Sequence, residues 1–318
     1  MPVTLATELC SPSSARTVMA TIGFYRQKNR PRGMKIRGER ECRACGARWS
    51  YYTTGSVECP DCESVRSVGV DARTIHTDTA DDLDLSAFHA AAGQTNLIFG
   101  TEDADELKTT LRNYTRQRGF ITGGTLKQLD ETVLAAHELI ELTDLYVRLR
   151  DPTEAEQAYA LDLLLGADRG ERPRAAEVPD RLREARGLAA VYAATEYRRD
   201  LLTVLDKLTE SSGTADGIDG TDGEVQQSSD TSHAGTQQPN STPISVEGTN
   251  PIARVKPARD VLERLRDTSA RIEALNGDVE PKVADALVDA ADAVGMFVRT
   301  GTEQDLEHAR QRLTDITR

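Results

Sequence analysis

Aromatic residues make up only 4% of this 318-residue chain, with a single Trp. A large aromatic-packed sandwich is therefore disfavoured, and the core must be built from Leu, Val and Ala, as in small helical bundles. No apolar run approaches the ~18–20 residues a membrane span requires. Positive charge is also in deficit, with 39 Lys+Arg against 52 Asp+Glu and a net charge of −13. That excludes a basic surface over the whole molecule, so any nucleic-acid contact must be local. Lysine itself is scarce: 32 of the 39 cations are Arg and 7 are Lys. An acidic, Lys-poor composition suits concentrated salt, where screening removes self-repulsion. GC-rich codon usage is the alternative source of the same bias.

What charge there is lies unevenly. Residues 1–33 carry Arg16, Arg26, Lys28, Arg30 and Arg32 against Glu8, a net +4. They show no periodicity and lack the order of a signal peptide. Met34 stands directly before the first ordered-looking segment. The expectation is that the native chain starts there and that 1–33 is a disordered leader, with Cys10 outside the chemistry. A basic arm touching nucleic acid is the alternative.

The remaining four cysteines fall in two pairs, Cys42-Arg-Ala-Cys45 and Cys59-Pro-Asp-Cys62. Two residues between cysteines let both sulfurs face one ion while the intervening amides turn back toward them. Gly46 follows the first turn, where a positive φ is often needed, and Pro60 stiffens the second. Two such knuckles supply the closed four-thiolate coordination of structural zinc, with Cys42, Cys45, Cys59 and Cys62 as ligands of one Zn2+. Disulfides are the competing use of four cysteines. They are disfavoured here because nothing marks the chain as secreted and cytosolic thiols stay reduced. Between the knuckles, Arg48 to Tyr52 is strand-prone and Thr53 to Ser56 is a turn cluster. Residues 65–70 offer a third strand. Trp49 and Tyr51 are expected on one strand face and Tyr52 on the other, either packing the small core or presenting a partner-binding face. A unit this short is near the limit below which a core alone suffices, and zinc would contribute roughly 10–16 kcal/mol of apparent binding energy.

The run Cys42-Arg-Ala-Cys45-Gly46 through Cys59-Pro-Asp-Cys62 resembles the transcription factor IIB-type zinc ribbon. A ribbon ahead of an acidic helical body is also similar to the uncharacterised ribbon proteins of halophilic archaea. The resemblance covers residues 35–71. It implies zinc at the four matching cysteines and, by analogy with the general factor, docking on RNA polymerase. The factor's cyclin-like repeats are not evident in the acidic body, so general initiation activity does not carry over. Rubredoxin has similar knuckles and holds iron, and four thiolates do not by themselves choose between the metals. A rubrerythrin-like di-iron centre would need Glu three residues before its histidines. None of His76, His89, His137, His233 and His308 has one.

Behind the ribbon, helical signals dominate. Thr101-Glu102-Asp103 opens a helix with the stripe Ala104, Leu107, Leu111 and Tyr114, closed near Arg118 and Gly119. Gly123-Gly124 suits a tight turn, and no Lys-Ser/Thr follows to make a phosphate loop. Asp130 opens a helix to about Arg150. Within it His137-Glu138 lacks the second His of a zincin and reads as an ordinary helix face. Asp151-Pro152-Thr153-Glu154 starts another helix, to near Gly166, and a long one runs from Pro179 to about Leu208. Residues 210–256 are Ser-, Thr-, Gly-, Asp- and Gln-rich and predict a disordered linker. The C-terminal segment has a heptad-like row, Val261, Leu265, Thr268, Ile272 and Leu275. Two further helices follow, able to close as a mini-bundle or to pack on a partner.

The expected fold is thus a small β zinc ribbon followed by a mainly α-helical body, a disordered linker and a short C-terminal helical bundle. The pieces are 1–33, 34–72, 73–209, 210–256 and 257–318. The expected function is a cytoplasmic, zinc-binding, non-enzymatic interaction protein, a transcription- or RNA-associated adaptor. The alternative is a rubredoxin-like iron-binding electron carrier or redox sensor. A protein partner is expected, nucleic acid is left open, and no membrane is involved. The candidate docking surface is Arg40, Arg43, Arg48, Trp49 and Tyr51, since the ribbon is the most basic ordered stretch of an acidic chain.

Overall fold

The computed structural model describes residues 33–91, 99, 102–213, 246–247 and 250–317. The leader 1–32, with Cys10, and positions 214–245 of the expected linker lie outside the described residues. The protein is mainly helical, with small antiparallel sheets concentrated near the N-terminus.

Strands β1 (Met34–Ile36), β2 (Glu39–Cys42), β3 (Arg48–Ser50), β4 (Ser67–Gly69) and β5 (Thr74–His76) come first. β2 is the middle strand of a three-stranded sheet ordered β3-β2-β4. Arg40 faces Trp49 on one side and Gly69 on the other. The strand expected to run through Tyr52 stops at Ser50. Tyr51 opens a single helical turn, α1 (Tyr51–Thr54), closed by Gly55 in the left-handed region. Both Thr53 and Thr54 hydroxyls donate to the Ser50 carbonyl, at 3.0 and 3.1 Å. Such local bonding competes with a sheet ladder and turns the chain early. Tyr51 and Tyr52 therefore do not alternate across a strand.

β5 was not legible in the sequence. It pairs with β1, Met34 opposite His76, Lys35 opposite Ile75 and Ile36 opposite Thr74. These two strands form a stem from which the three-stranded unit projects. β5 is also tied to the body: Thr77 N donates to Ile121 O and Gly124 N to Ile75 O, each at 2.8 Å. The partners sit on a short hairpin, β6 (Ile121–Thr122) and β7 (Thr125–Leu126). Gly123 and Gly124 turn it with φ of 58° and 79°, the mirror-image turn that matches strand twist.

The body contains α2 (Ser86–Ala91), α3 (Glu102–Gln117), α4 (Glu131–Tyr146), α5 (Glu154–Gly166) and α6 (Arg183–Gly213). The stripe Ala104, Leu107, Leu111 and Tyr114 of α3 is buried. Asp130 caps α4 by accepting from Thr132 N. The cap of α5 is Thr153. Its side chain accepts from Glu156 N while Glu156 reaches back to Thr153 N at 2.8 Å. The Thr-x-x-Glu spacing that makes a capping box begins only there. α6 outruns its expected end by about one turn, to Gly213.

α7 (Val255–Ala274), α8 (Pro281–Thr300) and α9 (Glu303–Ile316) pack on one another, and α7 and α8 also pack on α6. One continuous apolar core runs from Ile75 of β5 through α3–α6 to Leu313 of α9. Close approach is allowed where side chains are small. A Cβ on Gly295 of α8 would lie 2.0 Å from the Tyr197 hydroxyl of α6. Tyr197 is fully buried and donates to Lys127 O at 2.9 Å. The last part of the expected linker is docked: Glu247 N donates to Arg299 O at 3.0 Å, and Val246 packs on the core. Buried Arg254 donates to Val298 O and Arg299 O, at 2.9 and 3.0 Å, and also to Glu247 O. It thereby satisfies carbonyls that the end of α8 leaves unpaired.

The His137-Glu138 pair, expected on an ordinary helix face, is buried at 6% and 0% exposure. His137 Nε2 meets Glu196 Oε2 at 3.4 Å. Glu138 sits between Arg172 at 3.1 Å and Arg186 at 3.5 Å, and the Tyr159 hydroxyl donates to it. Arg186 in turn holds both oxygens of Asp285 on α8, at 2.8 and 3.0 Å.

Candidate metal centre

The two knuckles are built to one plan. Cys42, at the end of β2, donates its N–H to Ala47 O at 2.8 Å, and Gly46 N returns to Cys42 O at 3.0 Å. In the second, Cys59 N donates to Ser64 O at 3.1 Å, and Glu63 N returns to Cys59 O at 2.9 Å. The residue after each second cysteine is left-handed, Gly46 at φ 78° and Glu63 at φ 56°. Only the first of these was signalled by a glycine. A non-glycine residue in this region persists where its surroundings over-determine it, as a knuckle closed by two backbone hydrogen bonds does.

The four sulfurs converge. The Cys42, Cys45, Cys59 and Cys62 Sγ atoms all lie within 4.8 Å of one another. Cys42 to Cys62 is 3.7 Å and Cys45 to Cys59 is 3.6 Å. The Ala44 amide approaches Cys42 Sγ at 3.3 Å, as a donor to a thiolate would. Cys42 and Cys59 are buried, while Cys45 and Cys62 face solvent.

Their electrostatics fit a cation. The backbone N–H of Cys45, helped by that of Ala44, brings the Cys42 thiol down to about 6 against the opposing effect of burial. The Ser64 amide pulls Cys62 the same way, but the Cys45 thiol, burial and the Cys42 and Cys59 thiols outweigh it and push Cys62 up to about 12. Four thiols this close cannot ionise together unless positive charge is placed among them. Four convergent sulfur donors suit zinc or iron, and together they would fill a four-coordinate shell, leaving no open position for an activated water.

Around this centre the ribbon has a core of its own, Cys42, Trp49 and Cys59 with Ala47 against them. Trp49 is 7% exposed, and its indole N–H donates to Ser56 O at 3.1 Å. Arg40 donates to Ser67 Oγ at 3.0 and 2.9 Å, tying β2 to β4. Arg48 pairs with Glu41 at 2.7 Å across β2 and β3. Tyr51 is half-buried, its ring edge-on to His76 at 6.3 Å. Arg43 is exposed at the first knuckle.

Sequence reasoning did not single out three neighbours, Arg66, Val65 and Val57. Arg66 is exposed beside Arg43, whose amide donates to Arg66 O at 2.8 Å. Val65 is 73% exposed and Val57 46%. Tyr52 packs on His76 at 4.9 Å between ring centres and reaches Thr74 Oγ1 with its hydroxyl, fixing the ribbon to its stem. The segment 65–70 is too short, and its valines at 65, 68 and 70 too unevenly spaced, to give a periodicity from which the exposure of Val65 and Arg66 could be read.

Among the described residues no helix is long and apolar enough to cross a membrane. No curated protein and no solved structure matches the chain. A family model does match, over residues 34–226 and 250–313, so it takes in both the four-cysteine unit and the helical body. The chain therefore belongs to the family of unknown function DUF7117.

Proposed function

We propose that residues 34–72 are a zinc ribbon of the transcription factor IIB type, and that the protein is a non-enzymatic adaptor that docks through it. The observation that carries the reading is the convergence of four sulfurs from two like-built knuckles on a three-stranded sheet. A closed four-thiolate ion stabilises a small fold and does no Lewis-acid chemistry. The resemblance of the knuckles suggests transcription- or RNA-associated machinery as the partner, and the acidic, Lys-poor chain suits a haloarchaeal setting.

The docking surface is narrower than the basic residues alone suggest. Arg40 is engaged with Ser67, Arg48 with Glu41, and Trp49 is in the ribbon core. Arg43 and Arg66 remain as adjacent exposed cations, with Val65 as an apolar contact next to them. A protein with an acidic patch around a small apolar pocket is the complementary partner. Phosphates are disfavoured by the net −13 charge unless salt screens it.

The test is tagged purification at native salt with wild type and with Arg43→Glu/Arg66→Glu. The expected outcome is at least a tenfold loss of co-purified partner at unchanged zinc content. Full partner recovery by the variant across a salt series would falsify this surface. Metal analysis of natively expressed protein separates the adaptor from the electron-carrier reading, because four-thiolate iron absorbs visible light and zinc, with its filled d shell, is colourless.

A further inference from the structure

Each knuckle offers one buried and one exposed cysteine. Cys42 and Cys59 are 2% and 1% exposed, while Cys45 and Cys62 face solvent. The sulfur of the exposed cysteine in each knuckle lies against that of the buried cysteine in the other: Cys45 with Cys59 at 3.6 Å, Cys62 with Cys42 at 3.7 Å. Four cysteines allow three pairings, and this arrangement matches the crosswise one.

We propose that Cys45 and Cys62 are oxidation sites at which a hydroperoxide closes crosswise disulfides, Cys45–Cys59 and Cys42–Cys62, and thereby releases the metal. The exposed Cys45 thiolate attacks one peroxide oxygen; the O–O bond breaks, leaving a sulfenic acid on Cys45 and a hydroxide. The Cys59 thiolate then attacks the Cys45 sulfur; the S–S bond forms, the S–O bond breaks and a second hydroxide leaves. Two thiolates lose two electrons and one peroxide gains them. Cys62 and Cys42 repeat the step with a second peroxide. To reach the ~2.05 Å of a disulfide the sulfurs close by roughly 1.6 Å.

The pairing has a mechanical consequence. Links within a knuckle would join residues already held by one turn and leave the two knuckles free of each other. Crosswise links clasp knuckle to knuckle, so the ribbon keeps its shape while losing its ion and can be recharged after reduction. The metal-release half of the inference rests on the zinc-ribbon reading above, whereas the disulfide pairing does not.

The experiment uses zinc-loaded full-length protein carrying Cys10→Ser, which removes the one cysteine outside the centre. It is titrated with hydrogen peroxide, quenched with acid and alkylating agent, and mapped without reduction by mass spectrometry. Released zinc is followed with a colour-forming chelator. The expected result is Cys45–Cys59 and Cys42–Cys62 as the main links, one zinc released per two peroxides, and recovery of zinc uptake after dithiothreitol. Main links Cys42–Cys45 and Cys59–Cys62, or Cys42–Cys59 and Cys45–Cys62, would overturn the proposal. So would sulfinic and sulfonic acids without disulfide, or four intact thiols at a peroxide excess that oxidises the methionines. Partner capture by the Arg43/Arg66 variant is independent of this map, so either proposal can fail alone.

Discussion

Single side chains set local costs that pH can reveal. Glu141 on α4 is partly buried, and this desolvation, with Asp144 beside it, raises its carboxyl above the ordinary range despite His137, Arg112 and Lys108 nearby. Between the unfolded and folded values the native state holds the extra proton, so stability falls as pH rises through that window. Above the folded value the cost is fully present. Glu141→Gln should therefore be more stable than wild type at pH 7. The two should converge below about pH 4, where the unfolded carboxyl is also protonated. Urea midpoints measured from pH 4 to 8 check this, and a constant difference across the range would contradict it. Glu63 shows the opposite limit of residue-level reading. It is left-handed like Gly46, yet its identity announces nothing, because the conformation is imposed by the knuckle bonds rather than by side-chain preference.

At the scale of elements, the ribbon and the body have separate cores. Cys42, Trp49 and Cys59 form one cluster, and the helices form the other. So small a cluster cannot hold three short strands without an ion or a covalent crosslink among its sulfurs. Removing the metal with a strong chelator should unprotect the amides of β2, β3 and β4 to hydrogen exchange while those of α4 and α6 stay protected. Trp49 is the chain's single tryptophan and is buried in the ribbon. Its emission should therefore shift to the red on metal loss, with helical circular dichroism nearly unchanged. Cooperative loss of both signals would mean that the two cores fold as one. The β1–β5 stem and Tyr52 are the elements that could carry such coupling.

Across the whole molecule, the C-terminal helices are joined to the body by more than apolar contact. Glu138 on α4 is fully buried between Arg172 and Arg186, and Arg186 extends the chain of charges to Asp285 on α8. Removing one member of a buried ionic group leaves its partners uncompensated, at a cost of about 3–5 kcal/mol. Glu138→Ala should lower stability by that order, with the loss appearing in the unfolding of α6 and α8 together. Denaturant unfolding followed by helical circular dichroism checks the magnitude. Limited proteolysis shows whether the last three helices are released as a unit. A loss below about 1 kcal/mol would place Glu138 among ordinary surface ion pairs.

The sequence by itself determined the features that depend on short spacing. Two Cys-x-x-Cys pairs specify four convergent sulfurs. The apolar stripe of α3 follows from the helix period. Gly123-Gly124 likewise specified its tight turn. Only the tertiary structure decided what depends on long-range pairing. Thr74–His76 becomes a strand because β1 lies opposite it, not because three residues have a strand pattern. Which partners Arg40, Arg48 and Trp49 meet, Ser67, Glu41 and the cysteine cluster, is likewise decided by pairing across the sheet. His137-Glu138 passes for an ordinary helix face until Arg172, Arg186 and Glu196, 34 to 59 residues away, close over it. Local spacing fixes which groups can meet within a turn, whereas burial and pairing are set by the packing of distant elements, which no short window of sequence contains.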